Sequence, residues 1–409
     1  MIELYYSLAE PCLFAAQKRN TSMNSKLKIG LFFGGRSTEH EVSIITALQA
    51  FENLNKEKYE VAPVYVSKAG DFYTNPKFLD IKNYKDIDSL ILSSSKVNFV
   101  RKNGQAGIIK QGFSSQFLTL DLAIPLFHGS FGEDGCIQGV FEIYQIPYAG
   151  FNVLGAAIAM DKVLSKYVFQ SLGFQAVKFV SIYRNDWIKD SKKILKQVQN
   201  GLRFPMMVKP ADIGSSIGIN KANNIDELIF NIEIASTYSD KILIEQAFEN
   251  CIEINCAALG YEKVMPSVCE MPIRSGETLS YADKYMKGVK GSKGTKSGMA
   301  SLSRKIPAPI SKNLAKKIQD ATVKIFKALE GCGVARIDYF VDPKTEQFWV
   351  NEVNSQPGSL AFYLFEPLGI KYSQLLDKLI EDGLKRFENS KMTQYTFNSP
   401  LLSQMANAD

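Results

Sequence analysis

From Leu27 onward the apolar positions fall alternately into short runs and helical repeats. Leu27 to Phe33 (LKIGLFF) is a nearly continuous apolar run, the pattern of a strand covered on both faces, and Gly34-Gly35 opens a turn behind it. Ser43 to Leu54 repeats at helical spacing, and Tyr59 to Val66 predicts the next strand. Asp121 to Leu126 predicts a further buried strand, ending in the glycine-rich turn His128 to Gly135. This order predicts an open βα sheet with glycine loops at two strand ends, where ligands of such sheets gather. Residues 68–120 are polar and turn-rich and read as an insertion or a peripheral hairpin.

A second region starts near Gly150. Helices are predicted over Asp161–Leu172 and Asp190–Asn200, and strands over Ala176–Ile182, Phe204–Pro210 and Lys241–Ile244. A third region begins around Glu253 and carries a basic Gly/Ser-rich stretch from Met286 to Lys305. It continues with a helix at Ser311–Leu329, strands at Ala335–Val341 and Gln347–Val353, and a last helix over Tyr372–Phe387. The expected division is a flexible extension 1–26, units 27–149, 150–248 and 249–388, and a polar, frayed tail 389–409.

Composition narrows the class. The 409 residues are 45% apolar and 22% charged, with a mean hydropathy of −0.09, which excludes a disordered chain, a fibre or a multi-span membrane protein. A net charge of +6 is too mild to argue for nucleic acid and suits small anionic substrates. The six cysteines form no CxxC pair, so reduced thiols in a cytoplasmic protein are expected. Lys18 and Arg19 follow the apolar Leu13–Ala16 rather than precede it, the reverse of a secretory signal; a loose arm or a true start at Met23 is expected instead. No run reaches the ~20 apolar residues of a membrane helix.

Candidate chemistry gathers in a few places. Asp338 lies two residues after Arg336, and beyond a turn at Asp342–Glu346 the return strand carries Glu352 and Asn354. Residues i and i+2 of a strand share a face, so a paired hairpin would gather three hard oxygen ligands suited to Mg²⁺ on phosphate oxygens. A solvated hairpin face is the alternative. Lys209 precedes the loop Gly214-Ser215-Ser216-Ile217-Gly218, which can cradle an anion or merely make a turn. The two histidines, His40 and His128, each lie in a glycine-rich strand-end loop suited to an anion or a small zwitterion. Glu41 and Glu133 there can fix an ammonium, while Ser37 and Asp134 can cap the next helices. Behind Lys284-Tyr285, the lysines at 287, 290, 293, 296 and 305 with Arg304 read as a lid over phosphates or as a plain surface loop.

Taken in order, several segments resemble the D-alanine–D-alanine ligase family of the ATP-grasp superfamily over residues 27–388. They are GGRSTEHEVS (34–43), HGSFGEDGCIQG (128–139), MDK (160–162), VKPADIGSSIG (208–218), Lys284-Tyr285, ARID (335–338) and NEVNSQPG (351–358). The resemblance implies an α/β (α+β) ATP-grasp fold of three α/β domains. The first would be an open, mostly parallel sheet that binds substrate, and ATP would lie between the antiparallel sheets of the other two. Lys162 and Lys209, with Ser216 and Lys284, would attend the ATP phosphates. Glu245 and the backbone of Gln246 to Phe248 would hold adenine, and Glu253 the ribose. Asp338, Glu352 and Asn354 match the family's Mg²⁺ (or Mn²⁺) ligands, expected to hold two ions. Glu41 would bind the ammonium of the first D-alanine, with Ser215 and Tyr285 linking it to the lid. His128 would lie near that substrate's carboxylate, Glu133 would also bind substrate, and Arg336 and the Gly358 N–H would sit at the developing oxyanion.

The expected reaction joins two D-alanines for peptidoglycan precursors, in a cytoplasmic enzyme with no nucleic-acid or membrane partner and, by family habit, a homodimer. Three features depart from the pattern, one of them a lid that is longer and more basic than usual. After Gly358 the run Ser359-Leu360-Ala361-Phe362-Tyr363-Leu364-Phe365 is longer and more aromatic than usual, which leaves Tyr363 or Ser359 to hold the second substrate's carboxylate. Ser355 stands for the usual threonine. A different second substrate (D-lactate, D-serine or another amine) and a catalytically silent nucleotide-binding relative are the alternatives.

Overall fold

The computed structural model describes residues 25–112, 115–214, 217–273 and 303–406. Its first sheet has seven strands: β1 (Leu27–Gly34), β2 (Tyr59–Val66), β3 (Phe72–Thr74), β4 (Ser95–Lys102), β5 (Gln105–Lys110), β6 (Phe117–Thr119) and β7 (Leu122–Pro125), in the order β6-β5-β4-β3-β2-β1-β7. β1 pairs in parallel with β2 and β7, and the remaining pairings are antiparallel. The segment 68–120 is therefore no peripheral hairpin. Its short turns fold it back on itself, and antiparallel strands with one wet face extend the sheet without an apolar run to betray them.

Helix α1 (His40–Asn53) crosses from β1 to β2 and starts ahead of the predicted Ser43, because His40 and Val42 are already buried while Glu41 faces out. Neither Ser37 nor Asp134 is an N-cap: the cap positions are Glu39 and Gly135, the latter at φ 94°. Ser37 Oγ accepts from Glu39 N, and Asp134, one residue further out, accepts both from Phe131 N in its loop and from Cys136 N at the start of the helix Cys136–Tyr144.

The second sheet holds β8 (Phe179–Tyr183), β9 (Met206–Pro210), β10 (Asn220–Ala222) and β11 (Lys241–Gln246), antiparallel in the order β10-β9-β11-β8. The third holds β12 (Ile252–Gly260), β13 (Val264–Pro266), β16 (Gly333–Val341) and β17 (Phe348–Asn354), antiparallel in the order β13-β12-β16-β17. A two-stranded ribbon of β14 (Met271–Pro272) and β15 (Arg304–Lys305) lies beside it. Asp161 caps the helix Lys162–Ser171 and Ser311 the helix Lys312–Ala328, side-chain oxygens accepting the orphan amides of the first turn.

The core that matters most for the site joins distant parts of the chain. Ile29, Leu31 and Phe33 of β1 pack in one buried cluster with Leu360, Ala361 and Leu364 behind β17 and with Leu375 and Leu379 of the last helix, Tyr372–Ser390. That helix runs into the segment expected to be frayed, and a short exposed helix follows at Leu401–Ala406. Ser359, Leu360 and Ala361 adopt φ of 54°, 52° and 48°. For L-residues this left-handed conformation costs roughly 1–2 kcal/mol each, so the surrounding packing must hold it.

Candidate active site

A narrow cavity of about 80 Å³ lies where the loops after β1 and β7 meet the loop after β9 and the end of β17. A water needs ~10–15 Å³ by the same measure, so the space suits a small zwitterion rather than a polymer.

Its acidic wall comes from the two glycine loops. Glu39 is buried and lines the cavity with Glu133. Gly129, at φ +78°, leaves room for it: a Cβ there would lie 3.1 Å from Glu39 Oε2, and one on Gly214 would collide with the same oxygen. Glu133 accepts from Gly129 N at 2.8 Å and from Gln356 N at 3.0 Å. Burial first, and then the charge of Glu39, push the Glu133 carboxyl up to about 8. Two neighbouring carboxylates on one wall, Glu39 buried and Glu133 half-buried, make a place for a cation.

Glu41 is not part of that wall. It points out to Lys68, 2.6 Å away, as an exposed ion pair beside a separate depression. One residue before the helix, Glu39 turns inward; one turn-step later the helical phase carries Glu41 to solvent. His128 lines the cavity, but its Nε2 meets Thr46 Oγ1 at 2.9 Å and its ring also bonds the Gln356 backbone. Burial lowers the ring to about 4, so it is neutral at pH 7 and acts on the Gln356 segment rather than as a charge for a substrate carboxylate.

The basic wall adjoins the anion loop. Lys162 lines the cavity and donates to Ile213 O at 2.7 Å. Lys209 at the end of β9 is paired with Glu245, which also meets Lys166 at 2.6 Å. Burial alone would raise Glu245, but Lys166 and Lys209 together hold it down at about 2. Its carboxylate thus ties Lys166 and Lys209 together at the end of β9 and β11. Lys166 was not singled out by sequence, although it follows Lys162 by one helical turn. Gln246 ties its side-chain amide to Arg203, and Phe248 packs on Trp349 at 4.6 Å and Phe340 at 5.7 Å. Glu253 lies on β12 opposite Phe340.

On the third sheet the register sets Asp338 opposite Glu352 and Arg336 opposite Asn354. Arg336 Nε and an Nη donate to the two Asp338 oxygens at 2.7 Å each, and Asn354 Nδ2 donates to Asp338 at 3.1 Å. Burial raises Asp338 to about 7 despite Arg336, and the charges of Glu352 and Glu253 add to the rise. Among the described residues no cluster of three acidic, histidine or cysteine side chains is assembled as a metal cage. The set is two carboxylates and an amide. Such hard oxygen donors, brought together by the β16–β17 register, are of the kind a divalent cation takes.

Behind Gly358 neither expected ligand for a second carboxylate faces the cavity. Ser359 Oγ donates to Gln49 Oε1 at 2.7 Å. Tyr363 is buried under the Arg304 guanidinium, 4.0 Å from its ring centre, with its hydroxyl 3.5 Å from Glu270, which Arg304 also pairs at 2.7 Å. The run packs into a buried core, with Leu360, Ala361, Tyr363, Leu364 and Phe365 all buried. Ser215, Ser216, Lys284, Tyr285 and residues 286–302 of the expected lid lie outside the described residues.

Comparison with known proteins finds two family models that together span most of the chain. Residues 28–151 match the family model described as D-ala D-ala ligase N-terminus, and residues 168–381 the one described as D-ala D-ala ligase C-terminus. The D-alanine–D-alanine ligase of Thermosipho melanesiensis is 36% identical over 375 residues, 91% of this chain and 98% of that protein. The structure of VanG D-Ala:D-Ser ligase from Enterococcus faecalis superposes with a TM-score of 0.73 at 30% identity, covering 88% of this chain and 100% of its own. The D-alanine-D-alanine ligase structure from Coxiella burnetii gives a TM-score of 0.74 at 24% identity, over 90% and 96% of the two chains, a likeness of fold.

Proposed function

The chain belongs to the D-alanine–D-alanine ligase family, and from that premise we infer that it is an ATP-dependent ligase joining two D-alanines through an acyl phosphate. The observation that carries this reading is the single small cavity in which an acidic pair, Lys162, Arg336 and the Glu352–Asn354 strand end converge.

Glu39 and Glu133 take the ammonium of the first D-alanine, and the substrate's carboxylate then faces the lysine wall. That carboxylate attacks the γ-phosphorus of ATP and displaces ADP, with Lys162 and Lys209 neutralising charge on the transferring group by position and electrostatics. Asp338, Glu352 and Asn354 would hold Mg²⁺ ions, two by family habit. A divalent cation bound there supplies further neutralisation of the phosphoryl oxygens. Phe248 and its aromatic neighbours wall the base, and Glu253 holds the ribose. The amine of the second D-alanine, having lost its ammonium proton, attacks the acyl carbon; the tetrahedral oxyanion forms toward Arg336 and the Gly358 N–H, and its collapse expels phosphate.

The direct test is phosphate release with D-alanine as sole amino acid. It should require ATP and Mg²⁺ and yield a product of dipeptide mass. No release at saturating D-alanine rejects the reading, and a mixed product from a panel with D-serine or D-lactate shifts it to another second substrate. Replacing Glu352 by Gln removes one ligand charge, and the Mg²⁺ concentration for half-maximal rate should rise by at least about tenfold. An unchanged metal titration counts against this ligand set.

A proton should also move. Glu133 is largely protonated at pH 7, and an ammonium beside it favours the carboxylate, so D-alanine binding at that pH should release up to about one proton. Calorimetry in two buffers of different ionisation enthalpy reads it, and identical heats would refute it. Since the folded value is raised above its ordinary 4.5, this group's contribution to stability falls as pH climbs from about 4.5 to about 8.

A further inference from the structure

Glycine 358, which lines the cavity, is followed directly by the three left-handed residues Ser359, Leu360 and Ala361. What holds that turn comes from the first sheet's helix. Ser359 Oγ donates to Gln49 Oε1 at 2.7 Å, and Ser359 N donates to Thr46 Oγ1 at 3.5 Å. The same Thr46 hydroxyl meets His128 Nε2 at 2.9 Å, and Leu360 N closes the turn on Pro357 O at 2.7 Å. Thr46, Gln49, His128 and Ser359 are all buried, so these bonds form where water cannot substitute for them. Thr46 and Gln49 are three apart and share one face of α1, whose N-terminal edge carries Glu39. The helix that begins at the ammonium wall thus ends its reach on the backbone just behind Gly358.

We propose that Gln49 and Thr46 are positioning residues that hold turn 359–361 left-handed and thereby aim the Gly358 N–H at the oxyanion of the second half-reaction. The proposal rests on the reading of Gly358 given above. L-residues relax from positive φ when nothing holds them, and an oxyanion donor works within a few tenths of an ångström of its place. Full negative charge returns to the acyl carbonyl oxygen only when the second amine adds, so an aimed Gly358 N–H matters most in the second half-reaction. A loosened turn should therefore leave activation of D-alanine largely intact and slow chiefly capture of the acyl phosphate by the second amine. Water then adds to the waiting acyl phosphate and returns free D-alanine and phosphate, so ATP is spent without dipeptide.

The experiment measures phosphate released per dipeptide formed, beside kcat and the KM for the first D-alanine. Wild-type protein should give a ratio of about one. Gln49→Leu should lower the dipeptide rate by about ten- to a hundredfold and raise the ratio severalfold, with that KM within about twofold. Adding Ser359→Gly should return the ratio toward one, because glycine keeps positive φ without a clamp. A Gln49→Leu variant that stays coupled, or a double variant as uncoupled as the single, overturns the proposal. If Gln49→Leu does not fold, Ser359→Ala and Ser359→Gly serve instead: alanine uncoupled and glycine coupled supports it, and equal ratios overturn it. Wild-type protein that makes no dipeptide at all would instead refute the function, which keeps the two failures apart.

Discussion

An Arg336→Ala variant should lose dipeptide turnover by about 10²–10³-fold while its affinity for ATP changes by no more than a few-fold. That range is what removing one preorganised oxyanion donor costs, ~3–4 kcal/mol of barrier. The side chain is buried at the cavity wall, and Asp338 grips it through both oxygens, so its guanidinium plane is fixed before any substrate arrives. Alanine at 336 also strips Asp338 of its sole bidentate partner among the described residues. Its carboxyl then climbs further, because burial and the charges of Glu352 and Glu253 go unopposed. Arg336→Lys should recover part of the rate, since an ammonium restores charge but not the two-pronged grip. Steady-state kinetics with a separate nucleotide-binding titration checks both claims. A variant turning over at near wild-type rate would remove Arg336 from the site.

Glu39→Gln should cut kcat/KM for the first D-alanine by roughly 30-fold to several thousandfold, the 2–5 kcal/mol that losing one side of a buried charge pair costs. Glu41→Gln should change it by less than about twofold, because an exposed pair with Lys68 contributes at most about 1 kcal/mol. The two glutamates flank His40, and a sequence motif alone does not say which one faces inward. The structure decides through the phase of α1, and Gly129 and Gly214 lie against the Glu39 carboxylate, where a Cβ on either would press on its Oε2. Equal losses in both variants, or a larger loss at Glu41, would sink this assignment.

Much of the frame was legible in the residue pattern. Tyr59–Val66 carries the predicted strand at both ends, and the register of β16 on β17 sets Asp338 opposite Glu352 as the hairpin reading required. Those features rest on period-2 and period-3.6 spacing, which is local and written in consecutive residues. Segment 68–120 was misread for the same reason: strands with one wet face and short turns resemble loop sequence until a sheet edge is there to receive them.

What the chain determined by itself is its succession of strands and helices, the ordered motifs that place it in its family, and the residue types gathered for phosphate and carboxylate chemistry. Only tertiary structure decided that Glu39 rather than Glu41 faces the cavity, that Glu245 serves Lys166 and Lys209, and that Tyr363 belongs to a core. It alone brings Gln49 to Ser359 across 310 positions. The physical reason is that a side chain's partner depends on the phase at which its element docks and on what burial leaves it to bond, and neither is encoded within a window of neighbouring residues.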